Sequence, residues 1–192
     1  MKYIAKDEIH NYPLLDFNGN IHLIQSESDI KSSCEILASH KVIGFDTETK
    51  PSFKKGVSYN ISLLQLSAGN SVYLFRINKI GFDKKIIEIL SNKNILKVGI
   101  DIKNDLLGLK KLKSFKENNF VDLNTLAIKK GYQSIGAVKL SIMLLGCRIS
   151  KSQRLSDWSA DNLTESQINY AAIDAWICPK ILQSFKDKSL FP

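Results

Sequence analysis

The stretch VIGFDTE at positions 42–48 constrains this chain most, because its β-branched run predicts a strand and a strand sends alternate side chains the same way. Asp46 and Glu48 therefore leave the backbone together. Two like charges that close repel unless a cation lies between them. Far downstream, Tyr170 and Asp174 stand four residues apart in a strongly helical segment, hence on one helix face. Asp105 follows a third ordered run, ILKVGI. Four carboxylates and one phenol outline a site for divalent metal.

The pattern around these residues predicts an α/β fold whose central sheet is mixed. An Asn-Gly turn signal in DFNGNIHLI precedes a short strand, and SESDIKSSCEILASH carries Ile30, Cys34 and Leu37 at helical spacing. A strand over 42–47 follows. After a polar loop with Pro51 and Gly56, ISLLQL and SVYLFRI flank the turn SAGN as a hairpin, so three successive strands suggest an antiparallel meander. From about residue 82 helix and strand alternate: FDKKIIEIL helical, ILKVGI extended, KNDLLGLKKL helical, NFVDL extended, then helices over 123–130 and 137–145. That alternation implies parallel strands with crossovers, flanked by helices.

The last helix has the clearest start. Thr164 and Gln167 form a capping box, and Leu163 with Ile168 supplies a hydrophobic staple. Pro179 sits inside the helical pattern and removes one backbone bond to Ala175, which predicts a kink just after Asp174.

A chain of 192 residues, 44% hydrophobic and 24% charged, suits one domain over residues 1–192 with a core able to fold without disulfides. Twenty-seven basic residues against 19 acidic ones give +8, a balance that favours polyanionic partners such as nucleic acid. Cys34, Cys147 and Cys178 are odd in number and form no CxxC, so neither a disulfide framework nor a thiolate zinc site is indicated. The N-terminal MKYIAKDEIHNYPLL lacks the apolar stretch of a signal peptide, and no segment reaches membrane-spanning length. A reducing cytoplasm is the expected location. His10, His22 and His40 have no metal-ligand spacing.

Asp46, Glu48, Asp105 and Asp174 are the oxygen donors that Mg²⁺ or Mn²⁺ prefers, and so few ligands leave room for phosphate and water. Such a site suits phosphodiester cleavage. With two ions roughly 3.5 to 4 Å apart, one activates a water while the other stabilises the leaving 3′ oxygen. Tyr170 is expected to stay neutral and to orient the attacking water. Asp105 has a duller explanation as an acid in a first helical turn, and Asp101 competes with it for the role. Before the capped helix, SKSQRLSDWS sets Lys151, Gln153 and Arg154 where a nucleic-acid backbone could be met. Trp158 is expected in the core rather than as a stacking platform. Lys54 and Lys55 either guide a strand toward the metals or belong to a solvated loop, and Phe53 beside them is open.

At this point the residues resemble a family. FDTE, GIDIKND and YAAIDAW are similar to the three exonuclease motifs of the DEDDy 3′-5′ exonucleases, which include ribonuclease D and the Werner-type exonuclease domain. The likeness runs from about residue 20 to 186 and takes in ISLLQL and SQRLSDWS. It implies a short, single-domain bacterial form with a ribonuclease H-like fold, two divalent cations (Mg²⁺ or Mn²⁺), and release of 5′-mononucleotides from a 3′ end. By position it makes Asp46 the bridge between both ions, gives Glu48 and Asp174 to the nucleophile-side ion, and assigns Asp105 to the second ion, mainly through water. It prefers Asp105 over Asp101, and Tyr170 rather than His marks the tyrosine subclass. Asp122 takes a secondary role.

The leading expectation is therefore a metal-dependent 3′-5′ exonuclease acting on single-stranded or frayed 3′ ends of DNA or RNA. A non-catalytic nucleic-acid-binding module that kept the fold is the alternative. A phosphodiesterase for small nucleotides is a third, which would need no basic surface.

Overall fold

Eight consecutive buried residues, Ile61–Ala68, make the strand around which the sheet is arranged. In the computed structural model, which describes residues 2–187, this is β3. The other strands are β1 (Asn20–Ile24), β2 (Val42–Thr49), β4 (Ser71–Phe75), β5 (Leu96–Gly99) and β6 (Phe120–Asp122), in the order β1-β4-β3-β2-β5-β6. β2, β3 and β4 form the expected antiparallel meander, with Gly69 taking the positive φ that the two-residue hairpin turn requires. β5 and β6 run parallel to β2, as the helix-strand alternation predicts. The mixed sheet is flanked by helices on both faces.

Two strand ends depart from the pattern in the sequence. β2 continues to Thr49, past the predicted end at 47, with an irregular register between Glu48 and Thr49. β4 stops at Phe75 rather than running to Ile77, where a one-turn helix, α2 (Ile77–Ile80), begins. The cause is Arg76. Its side chain is fully buried and its guanidinium donates to the carbonyls of Ala160 and Asp161, a demand no strand pattern reveals. β1 is a short strand, as expected, and pairs parallel with β4 at the sheet edge.

Helices α1 (Glu27–Ala38), α3 (Lys84–Ser91) and α4 (Lys103–Leu112) cover one face. There Ile30, Leu37, Ile86, Ile89 and Leu109 pack with Ile43 and Phe45 of β2. On the other face lie α5 (Leu123–Lys129), α6 (Ala137–Leu145) and the long α7 (Glu165–Asp187). Among the described residues, no helix is long and apolar enough to cross a membrane.

The start of α7 follows the sequence closely. Thr164 Oγ1 accepts from the Gln167 amide at 3.2 Å, Gln167 Oε1 accepts from the Thr164 amide at 2.9 Å, and Leu163 and Ile168 join one apolar cluster. The helix then continues through Pro179. Ala171, Ala172 and Ala175, all fully buried, let it lie close on the sheet. The approach is closest at Gly44 of β2, where an added Cβ would lie 1.9 Å from the Ala175 carbonyl oxygen. Backbone on both sides leaves that contact nowhere to relax. Gly44→Ala is therefore expected to cost about 3 kcal/mol of stability, read as a lowered urea midpoint at unchanged m-value.

Candidate metal centre

The alternation of β2 settles what surrounds each acid. Ile43, Phe45 and Thr47 face the α1–α3–α4 side, so Gly44, Asp46 and Glu48 face α7. Asp174, on the buried side of α7 and only 4% exposed, meets them there. Carboxylate oxygens of Asp46, Glu48 and Asp174 all lie within 4.8 Å of one another. Among the described residues, no other group of three or more His, Cys, Asp or Glu converges in this way.

Burial raises every carboxyl in the cluster, and neighbouring acids add to the rise at Asp46 and Glu48. Asp46 is pushed well above the usual carboxylate range, first by desolvation and then by the charges of Asp174, Asp105 and Glu48. Glu48 is raised to about 8 by burial and Asp174, against the lowering influence of Lys151. Asp174 is raised by burial despite its ion pair. That partner is Lys151, whose Nζ donates to both Asp174 oxygens at 2.9 Å and to the Tyr170 hydroxyl at 3.3 Å. Once ionised, three carboxylates against one ammonium carry an excess of negative charge on hard oxygen donors. That donor set fits a divalent cation such as Mg²⁺ or Mn²⁺.

Asp105 stands apart from the three. It sits in the first turn of α4, where its carboxylate accepts from Thr47 Oγ1, the β2 side chain between Asp46 and Glu48 that points the other way. Burial raises it to about 6, and the Thr47 hydrogen bond works against that rise. Its charge nevertheless reaches Asp46 and Glu48, raising both. Asp101 is exposed in the preceding turn at φ 60°. Asp122 has structural work: it caps α5 through the Asn124 and Thr125 amides and accepts from the Ile102 amide at 3.0 Å. An Asp at a strand end just before a helical pattern is the signal for such a cap.

Tyr170 is 5% exposed and one turn before Asp174, and Lys151 Nζ donates to both. Burial, then the charges of Asp174 and Glu48, raise its phenol far above the ordinary value, so it keeps its proton. Trp158 is fully buried with its ring 5.8 Å from Tyr170, a core position as expected.

The predicted nucleic-acid contacts are less uniform. Lys151 is exposed and pairs with Asp174 at 2.9 Å, an ion pair that its place in the sequence does not reveal. Gln153 is half-buried and accepts from Ser156 at 2.6 Å, within its own loop. Arg154 is exposed and lines a cavity of about 320 Å³ with Asp46, Asp101, Lys151 and Asp174. Lys54 and Lys55 are exposed on the loop after β2 and line neither this cavity nor the one beside Asp105, and neighbouring Phe53 is 82% exposed. That second cavity, about 330 Å³, holds residues sequence reasoning missed: Thr47, Tyr59, Asn104, Leu107 and Lys111. Asn104 and Leu107 flank the acid on α4 by spacing, and the rest carry no local signal.

Comparison with known proteins agrees with this geometry. The family described as 3′-5′ exonuclease matches residues 21–189. The chain is 34% identical over 179 residues to the mouse bifunctional 3′-5′ exonuclease/ATP-dependent helicase WRN, a match covering 86% of this chain and 13% of that protein. It thus spans a small part of that relative's length. Among solved structures it is similar to the Aedes aegypti Nibbler EXO domain (TM-score 0.82, 21% identity, 93% of this chain and 92% of that one). It is also similar to Escherichia coli RNase D, an exoribonuclease involved in structured RNA processing (TM-score 0.78, 25% identity, 90% and 47%). The sheet is accordingly the ribonuclease H-like one of these exonuclease domains, and the chain belongs to the 3′-5′ exonuclease family.

Proposed function

We propose that this chain hydrolyses phosphodiester bonds from the 3′ end of nucleic acid, releasing 5′-mononucleotides as a metal-dependent exonuclease of the tyrosine (DEDDy) subclass. The observation that carries this reading is the convergence of Asp46, Glu48 and Asp174 beside Tyr170, in a chain of the 3′-5′ exonuclease family.

Asp46, Glu48 and Asp174 would hold two divalent cations, Mg²⁺ or Mn²⁺, with Asp105 completing the set from the α4 side. Bound there, such ions lower the pKa of water and neutralise charge on a departing 3′ oxygen. The protein's own groups do the rest. Tyr170 keeps its hydroxyl proton because its surroundings are buried and anionic, so it orients a water by hydrogen bonding rather than removing a proton. Thr47 fixes the Asp105 carboxylate by donating to it. Arg154 and Lys151, which line the cavity, and Lys54 and Lys55 on their loop are suited to phosphate. The substrate is a single-stranded or frayed 3′ end of DNA or RNA, since the acids must reach a terminal phosphate.

The direct test offers 3′-extended DNA and matched RNA oligonucleotides with Mg²⁺ or Mn²⁺. Asp46→Ala abolishes mononucleotide release while its far-UV circular dichroism matches the parent; undiminished release would remove the site. Tyr170→Phe slows turnover about 10²-fold yet leaves Mn²⁺ affinity within a factor of about two, because the phenol orients water without ligating the ion. A parallel loss of Mn²⁺ affinity would contradict that role.

The raised carboxyls also set a pH dependence. Glu48 has a folded value of about 8 against an ordinary 4.5, so between those limits the folded state binds more protons than the unfolded chain. In EDTA the melting temperature should therefore fall as pH rises from 4.5 to 8. Saturating Mg²⁺ should flatten that decline, because cations replace protons among the carboxylates. An equal decline with and without Mg²⁺ would speak against an ion in this cluster.

A further inference from the structure

We propose that Ser67 is a positioning residue for Asp174, acting through a carbonyl that Pro179 leaves without its helical donor. The inference rests on the metal reading of the carboxylate cluster. Pro179 has no N–H to give to the Ala175 carbonyl four residues before it. That carbonyl faces the sheet, buried, over the position where Gly44 has no side chain. Ser67 of β3, 1% exposed, lies directly opposite Gly44 in the β2–β3 register, and its hydroxyl donates to the Ala175 oxygen at 3.0 Å.

These residues form one device. The proline frees an acceptor, the glycine gives it room to reach the sheet, and the serine satisfies it. A buried carbonyl left unpaired is costly, so this contact fixes α7 laterally at the residue next to Asp174. Lys151 donates to both oxygens of the Asp174 carboxylate. Nothing in that geometry fixes how far the helix stands from β2, which carries Asp46 and Glu48. The Ser67 contact, together with the close approach at Gly44, does, and with it the spacing of the three acids.

The arrangement implies a specific rescue. Removing the Ser67 hydroxyl leaves the Ala175 carbonyl buried without a donor and lets α7 move off the sheet, spreading the acids. Replacing Pro179 by alanine returns an N–H to that carbonyl and removes the need for Ser67. In the full chain, Mn²⁺ binding is followed by electron paramagnetic resonance alongside kcat, KM and melting temperature. Ser67→Ala should weaken Mn²⁺ about tenfold and lower kcat with little change in KM. The double variant Ser67→Ala/Pro179→Ala should regain most of the Mn²⁺ affinity. A hydroxyl that only stabilises the fold would lower the melting temperature of Ser67→Ala and leave Mn²⁺ affinity unchanged, which overturns the proposal. So does a double variant that binds Mn²⁺ no better than Ser67→Ala. If the parent protein itself bound no Mn²⁺, the metal reading beneath the proposal would fall instead.

Discussion

Repulsion among Asp46, Glu48 and Asp174 is the constraint the rest of this structure answers. With carboxylate oxygens of all three within 4.8 Å, burial and the charge of Asp174 raise the proton affinity of Asp46 and Glu48, and Lys151 offsets only part of that charge. The fold must therefore hold the acids together against their own preference. It does so with apolar burial on either side: Phe45 and Ile43 anchor β2 from beneath, while Ala171, Ala172, Ala175 and Ile177 bind α7 to the sheet. A cation bound there would take over as counter-charge what those contacts otherwise sustain alone, and would link metal affinity to fold stability through one cluster.

Much of this was legible because it obeys local periods. Alternation along β2 put Asp46 beside Glu48, helical spacing put Tyr170 with Asp174, and the box of Thr164 and Gln167 located the start of α7. The meander and the parallel strands after it followed from turn chemistry and alternating elements. What was not legible depends on contacts between residues distant in sequence. Thr47 reads as a strand residue until α4 brings Asp105 to its hydroxyl, and Arg76 reads as a strand end until the loop at 160 and 161 supplies its carbonyls. Lys97 looks like an exposed strand lysine, yet it is fully buried, donates to the Asn92 and Ile95 carbonyls, and is lowered to about 8 by desolvation. Lys151 belongs with these. Its position before the capped helix was visible, but its direction was not.

The loop that carries Lys151 and Arg154 is itself held in place by distant side chains. Arg76 and Lys79 donate to its carbonyls at residues 160 and 161, Asn78 donates to the Ser159 carbonyl, and Lys50, just past the end of β2, pairs with Asp157 at 2.7 Å. Asp157 is held at about 2, first by its hydrogen bonds from Lys50 and Ser159. The exposed Lys50 pair contributes little stability by itself. Its value is geometric, since it joins the acid-bearing strand to the loop that supplies the cations. Trp158, buried between those attachments and Tyr170, turns the loop's position into the phenol's position.

Acids and cations are thus placed by separate means that meet at α7. The acids depend on how closely the helix lies on β2, set by a glycine, three alanines and the Ser67 contact; the cations depend on the loop before it, set by backbone carbonyls facing Arg76 and Lys79. Helix and loop are continuous in the chain, joined at the capping box, and Gln167 also donates to the Asp157 carbonyl at 3.2 Å. A shift of α7 therefore moves Asp174 relative to Asp46 while carrying Lys151 along through their shared ion pair. Cation and carboxylate stay matched during such a shift, but the spacing of the two strand acids from the helix acid does not. That spacing is what an ion of fixed radius would read, so under the proposed metal function the backbone approach at Gly44 would govern metal fit more tightly than any single surface charge.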